Sequence, residues 1–401
     1  VAATTDRPVR GERFAVMAGG GTAGHLQPAL AIAEALVDAG HPRQAIEFVG
    51  SARGQDRAAL AGRGFTVTLL PGRGLVRSMR VGDVVRNVGA LAGLAVAVVR
   101  AFALVARSRP QVVVSVGGYA SLPASLAAVM LGVPLVLVNV DAVPGAANRL
   151  LGRFARASAV GWEASSLPRS VVTGTPVRPE IAAVRRDQGD RRVARRTLGL
   201  PEDRPTVAVF GGSLGARRIN AAAAGLAERW KQRDDRAIYH IVGRRDWEEY
   251  AGGPQPGPAA GCRHQPPTGA APSVVRVPYE DRMEVVYGAA DLVVGRAGAM
   301  TVAELAVAGV PSILVPLPGA PGDHQTANAR VLERAGASVL LPDPDCDARS
   351  LGELADRLLA DPTGLDAMGR AAASVGRPDA AAAGARVVEA NARPPRARRW
   401  R

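Results

Sequence analysis

Short, unbroken apolar runs alternate along this chain with stretches in which apolar residues recur every three or four positions, and the alternation starts at Phe14. Runs of four to six apolar residues predict buried strands, and the 3.6-residue recurrences predict helices that cover them. The first round reads as strands Phe14–Ala18, Ile46–Val49, Val67–Leu70, Val112–Val116 and Leu135–Asn139, with helices Pro28–Ala39, Asp56–Gly62, Val81–Arg107 and Leu122–Met130. A connector over Val171–Arg178 and a charged, solvated helix around Arg185–Arg196 lead into a second round. There the strands are Val207–Phe210, Ala237–Val242, Val274–Val277, Leu292–Val294 and Ser312–Val315, and the helices Ile219–Trp230, Met283–Ala289, Thr301–Ala308 and Gln325–Ala335. Regular strand and helix alternation implies parallel sheets. The predicted class is α/β, with two Rossmann-like parallel-sheet domains facing an interdomain cleft. Their expected ranges are 12–178 and 179–391, the last helix being a candidate to cross back. Residues 1–11 and 392–401 read as disordered tails, the second of them basic, and 251–273 as an irregular insertion rich in Pro, Gly and Ala.

Composition narrows this picture. With 401 residues, 47% hydrophobic and 4% aromatic, the chain has enough Ala, Val, Leu and Gly for two cores. The formal charge of +14, carried almost wholly by arginine, suits anionic partners such as nucleic acid, lipid headgroups or phosphorylated substrates, or equally a general enrichment in Arg. No recognition motif for nucleic acid accompanies the charge, so none is expected as a partner. The two isolated cysteines, Cys262 and Cys346, support neither a zinc site nor a disulfide framework. Val1–Gly11 lacks the apolar core of an export signal, and the longest apolar stretch, Val88–Val99, is too short to span a bilayer.

Two of the predicted strands run straight into glycine clusters: Ala15–Ala18 into Gly19-Gly20-Gly21-Thr22-Ala23-Gly24-His25, and Val207–Phe210 into Gly211-Gly212-Ser213-Leu214-Gly215. Glycines permit positive φ and close backbone approach, and the helix start that follows offers unpaired N–H groups, so each turn is a candidate phosphate cradle. The first has G-x-G-x-x-G spacing, yet the second strand ends in Gly50-Ser51-Ala52-Arg53, with no acid for an NAD ribose. His25 at the helix start either deprotonates a hydroxyl or caps the helix. Gly117-Gly118-Tyr119 forms another glycine turn on the same sheet. The most specific segment is Gly295-Arg296-Ala297-Gly298-Ala299-Met300-Thr301-Val302-Ala303-Glu304, followed by Asp323 to Asn328. It places backbone N–H groups where a diphosphate could bind, and Glu304 one turn further on, where a carboxylate could accept both hydroxyls of a ribose. Gln325 and Asn328, three apart, can offer amides to a sugar or cap their helix.

The order of these motifs, with Gly174-Thr175-Pro176-Val177-Arg178 between them, resembles the MurG family of UDP-N-acetylglucosamine transferases over about residues 13–375. The resemblance implies a GT-B fold and inverting transfer of GlcNAc from UDP-GlcNAc to the C4 hydroxyl of a lipid-linked diphosphate acceptor, the step from lipid I to lipid II. It implies donor contacts from Arg178, Ser213, the backbone at Glu280, Ala299, Met300, Thr301, Glu304, Gln325 and Asn328. Acceptor contacts would come from Gly20, Gly21, Thr22, Gly24, Gly117, Gly118, Tyr119, Asn139 and Asn148. His25, with Asp141 as its rival, would be the catalytic base. No metal or other cofactor is implied, and an anionic membrane surface is an expected partner, with the protein peripheral on the cytoplasmic face of the cell membrane. Arginines Arg86, Arg100 and Arg107 along Val81–Arg107, and Leu75–Arg80 before it, fit such docking, although a core-packed helix fits the pattern too. Two positions depart from the family. Val138-Asn139-Val140-Asp141 stands where His-Glu-Gln-Asn is usual, and Leu214 replaces a glutamine. The first keeps open another lipid-linked or natural-product acceptor, or a non-catalytic sugar-nucleotide-binding scaffold.

Overall fold

The structure is a computed structural model that describes residues 13–20, 23–52, 60–71, 81–212, 215–250 and 273–394. The chain divides into two compact units. One holds the described residues up to Pro176 together with those from Asp379 onward, and the other lies within Val177–Pro378.

The first unit is built on a seven-stranded sheet of β1 (Ala15–Ala18), β2 (Ile46–Ser51), β3 (Thr66–Leu70), β4 (Val112–Ser115), β5 (Leu135–Asn139), β6 (Ala157–Val160) and β7 (Ser170–Val172), in the order β3-β2-β1-β4-β5-β6-β7. All neighbours are parallel. The central strands β1, β4 and β5 are buried at every position, as parallel strands covered on both faces require. The helix Val81–Ser108 packs Ala97, Ala101, Leu104 and Val105 against Ala124, Ala127 and Ala128 of the helix Leu122–Met130. Small residues on both sides let the two helices approach closely.

The second unit repeats the scheme with β8 (Thr206–Phe210), β9 (Ala237–Ile241), β10 (Val274–Val277), β11 (Leu292–Gly295), β12 (Ser312–Leu314) and β13 (Ser338–Leu340), ordered β10-β9-β8-β11-β12-β13 and again parallel throughout. In both sheets the strand order reverses beside the first strand, between β1 and β4 and between β8 and β11. Ligands of open α/β sheets bind outside the carboxyl ends of the strands at such a switch point.

Several sequence expectations change. The expected connector Val171–Arg178 begins inside a strand, because β7 pairs with β6 at the sheet edge. The charged helix, Gln188–Thr197, is not wholly solvated: Arg195 is buried, with its guanidinium on Asp291 at 2.7 Å. The expected tail from 392 starts too early, since the Arg393 N–H donates to the Gln111 carbonyl at 3.0 Å. The helix Ala380–Asn391 packs on the first unit, where Val388 and Ala385 are buried and Glu389 pairs with His41 at 2.9 Å. The tail at 1–11, most of the expected helix Asp56–Gly62, the segment Leu75–Arg80 and nearly all of the 251–273 insertion lie outside the described residues.

Candidate functional site

In the first unit the candidate residues gather at the carboxyl ends of β1, β4 and β5. Gly19 lets the turn after β1 lie against the end of β4, for a Cβ there would stand 3.2 Å from the Val116 Cβ. Gly117 and Gly118 adopt φ of 88° and 76°, the left-handed region that favours glycine. The turn they form faces the His25 ring: a Cβ on Gly118 would lie 3.2 Å from His25 Nδ1, and one on Gly117 3.4 Å from Asn148 Nδ2. His25 stands in the first turn of the helix Ala23–Asp38, next to Gly24. Gly20 is described, whereas Gly21 and Thr22 lie outside the described residues.

The structure gives the acceptor-side amides internal work. Asn148 is buried and donates through Nδ2 to the Val138 carbonyl and to Asn139 Oδ1, both at 3.2 Å. Asn139, also buried, donates to the Asp141 carbonyl at 2.6 Å. Asn139 therefore braces the loop that carries Asp141. Asn148 keeps one capacity open, because its buried Oδ1 has no hydrogen-bond partner and lies beside Gly117. Tyr119 follows directly, opening a short turn of 3-10 helix.

In the second unit the helix Ala299–Ala308 starts after Gly298, whose extended conformation (φ −65°, ψ 148°) leads into the first turn with no side-chain cap. The N–H groups of Ala299, Met300 and Thr301 thus form an uncapped, positively polarised helix end. Glu304 lies one turn in. Tyr287, from the helix Met283–Ala289, donates its hydroxyl to Glu304 Oε2 at 2.8 Å and fixes the carboxylate. Burial raises the Glu304 carboxyl above the usual range, with Glu284 adding to the rise, while the Tyr287 hydrogen bond and the charge of Arg178 oppose it. Arg178 donates to the Asp281 carbonyl at 3.2 Å and stands 3.8 Å from Glu284, so it joins the Glu280 loop to the helix that carries Tyr287.

The Glu280 side chain is committed inward: it accepts from Tyr239 at 2.8 Å and from the backbone and guanidinium of Arg282 at 3.0 to 3.1 Å. Only its backbone is left to meet a base. Gln325 accepts from the Leu317 N–H at 3.0 Å, tying its helix start to the loop after β12. Asn328 is fully buried and donates to the Ala297 carbonyl at 3.2 Å. Through this bond it ties its helix to the turn before Gly298. Ser213 lies outside the described residues.

Two bracing residues were missed in the sequence. Tyr287 sits in a short helix with no motif around it. Arg296, inside the glycine-rich motif, donates to the carbonyls of Val315 and Pro316, both at 3.1 Å, and pairs with Asp343 at 2.6 Å. An arginine inside a glycine turn, followed by a distant Asp, was the one available signal.

Fold and site together define a glycosyltransferase of the GT-B class. The glycosyltransferase family 28 N-terminal domain matches residues 15–160, and the C-terminal domain of the same family matches 206–383. The UDP-N-acetylglucosamine–N-acetylmuramyl-(pentapeptide) pyrophosphoryl-undecaprenol N-acetylglucosamine transferase of Desulforudis audaxviator is 38% identical over 371 residues, which is 91% of this chain and 95% of that protein. Its counterpart in Acidothermus cellulolyticus is 40% identical over 372 residues, 91% and 94% of the two chains. The crystal structure of MurG from Acinetobacter baumannii superposes with a TM-score of 0.69 at 26% identity, covering 94% of this chain and 99% of that one. The calicheamicin glycosyltransferase, at 17% identity and a TM-score of 0.62, shares the fold. The chain belongs to the MurG family of N-acetylglucosamine transferases.

Proposed function

We propose that this protein transfers GlcNAc from UDP-GlcNAc to the C4 hydroxyl of a lipid-linked MurNAc-pentapeptide diphosphate, converting lipid I to lipid II with inversion at the anomeric carbon. The observation that carries the donor half is the Glu304 carboxylate, held by Tyr287 one turn inside an uncapped helix N-terminus. Glu304 accepts the ribose hydroxyls, and the N–H groups of Ala299, Met300 and Thr301 receive the diphosphate. As the bond to GlcNAc C1 breaks, negative charge grows on the β-phosphate oxygen. A preoriented helix end stabilises that charge without having to reorganise. Gln325 and Arg178 complete the donor side, and Asn328 and Glu280 keep its loops in place.

On the acceptor side, the Gly20 turn and Gly117-Gly118 supply backbone to the acceptor diphosphate, and Asn148 Oδ1 offers an acceptor to a ligand hydroxyl or amide. His25 takes the proton of the attacking C4 hydroxyl, with Asp141 as the alternative base. A different lipid-linked acceptor is the second reading, favoured by the loop after β5, whose Asn139 amide is spent on the loop itself. A transfer assay with radiolabelled UDP-GlcNAc and lipid I, run on wild type, His25→Ala and Asp141→Asn, tests both readings. Lipid II formation, lost in one variant and kept in the other, supports the proposal and names the base. UDP release without lipid II would overturn the peptidoglycan assignment.

The same reading places the protein peripherally on the cytoplasmic membrane face. Among the described residues no helix is long and apolar enough to cross a membrane. The helix Val81–Ser108 instead leaves Val96, Val99 and Phe102 exposed, Val99 at 69%, beside exposed Arg100 and Arg107. Apolar side chains ringed by arginines suit an anionic bilayer surface.

A further inference from the structure

The second unit carries a cavity at the opposite edge of its sheet from the donor residues. Pro205, Asp291 and Pro311 each directly precede a strand, β8, β11 and β12 respectively, and all three line a space of about 390 Å³. The donor residues stand at the other ends of those strands, so the two places are separated by the width of the sheet. The cavity is within the size range of small-molecule sites.

Its lining is split by chemistry. Leu359, Leu365, Ala308 and Pro311 give an apolar wall, and Arg186 and Arg370 supply cationic groups. With Arg191, Asp291 and Asp366 also in the lining, three arginines face two aspartates, a surplus of one positive charge. Asp291 is fully engaged: it pairs with Arg191, accepts from Arg195 Nη2 at 2.7 Å, and accepts from the Thr206 N–H at 2.7 Å. Arg186, partly buried, donates to the Tyr287 carbonyl at 2.7 Å and makes no ion pair among the described residues. Burial, with the charges of Arg191 and Arg195 close by, pulls the Arg186 guanidinium below its ordinary value, and the carboxylates of Asp291 and Asp366 only partly oppose the fall. Arg370 is exposed at the rim, and Asp366, also exposed, is the lining carboxylate that an incoming anion must compete with.

We propose that this cavity binds an amphiphilic anion, an apolar body carrying one phosphate group that sits between Arg186 and Arg370. An apolar wall without the arginines would take an uncharged ligand, and the arginines without the wall would take inorganic phosphate. The combination selects a molecule with both parts. The phosphate could belong to a free amphiphile or to a membrane lipid headgroup, and the chemistry recognised is the same.

The test is calorimetric titration of octyl phosphate, below its micellar concentration, into the full-length protein saturated with UDP. One site is expected, at least about tenfold tighter than inorganic phosphate under the same conditions. Arg370→Glu and Ala373→Trp, both at exposed positions away from the donor residues, are each expected to weaken it about tenfold while leaving UDP affinity and the melting temperature unchanged. Cosedimentation with phosphatidate vesicles separates the sources. Binding that falls in Arg370→Glu assigns a lipid headgroup, and binding that does not change assigns a free amphiphile. Absence of octyl phosphate binding, equal affinity for inorganic phosphate, or indifference to both substitutions would overturn the proposal.

Discussion

Tyr287 is the residue on which the donor side can be tested most cleanly, because its hydroxyl does one thing: it donates to Glu304 at 2.8 Å. Its ring stays packed against Phe210, with centroids 6.2 Å apart. Tyr287→Phe keeps that packing and removes only the hydrogen bond. Without it the Glu304 carboxylate loses its fixed orientation and the larger of the two influences that counter its raised carboxyl value, so it protonates at a higher pH. A hydrogen bond to a charged group contributes about 1.5–3 kcal/mol. The expected result is UDP affinity weaker by about tenfold near neutral pH, with acid sensitivity setting in at a higher pH than in wild type. Titration calorimetry across pH reads both, and an unchanged profile would separate Tyr287 from donor binding. Residues of this kind explain what the sequence could not supply. Glu304, Gly117 and Gly118 were legible because their chemistry is local: a carboxylate one turn into a helix, two glycines after a strand. Tyr287 and Asn328 act on groups 17 and 31 positions away, a pairing that only folding reveals.

At the scale of elements, the strands made of continuous apolar runs were legible and the exposed edge strand was not. Val112–Ser115 and Leu135–Asn139 are continuous buried runs, whereas Ser170–Val172 is three exposed residues at an edge, too short for any periodicity to register. The helix Val81–Ser108 shows the limit of the same reasoning in the other direction. Its apolar residues cover almost every face, so pattern alone could not separate a core-packed helix from a membrane-docking one. The structure divides them: Ala97, Ala101, Leu104 and Val105 are buried, and Val96, Val99 and Phe102 are exposed. The exposed group can therefore change without cost to the core. Val99→Asp combined with Phe102→Asp is expected to lower binding to anionic vesicles by about tenfold or more. Losing apolar insertion and adding two negative charges act together here, each basic or acidic side chain near such a surface being worth about 1 kcal/mol. Thermal melting should be unaffected. Vesicle binding equal to wild type at low salt would remove this helix from the membrane contact.

For the molecule as a whole, the two units differ in what holds them. The second buries a polar chain in which the His240 ring donates through Nε2 to Asn220 Oδ1 at 3.0 Å, while Asn220 donates to the Val242 carbonyl at 2.9 Å and to Asp246 at 3.2 Å. Burial, assisted by the charge of Arg276, lowers His240 to about 3. The unfolded chain binds a proton at this histidine near its ordinary 6.5 and the folded unit does not. Its stabilising effect is therefore complete above pH 6.5 and declines as the pH falls toward 3, by about 1.4 kcal/mol per pH unit. Chemical denaturation at pH 7 and pH 5, on wild type and His240→Gln, should show a shallower pH slope in the variant. The first unit depends on the far end of the chain. The helix Ala380–Asn391 buries Val388 and Ala385 there, brings Gly384 so near Ile32 that a Cβ would lie 3.1 Å from it, and pairs Glu389 with a His41 ring stacked 3.6 Å from Phe14. Burying Val388 alone contributes about 1.5–3 kcal/mol. A chain ending at Pro378 keeps every residue of the second unit and removes this cover from the first. Hydrogen exchange on that truncation should show lost protection in Ala23–Asp38 and in β1, with the strands β8 to β13 protected as before. If the loss instead spread evenly through both sheets, the terminal helix would be holding more than the unit it packs on.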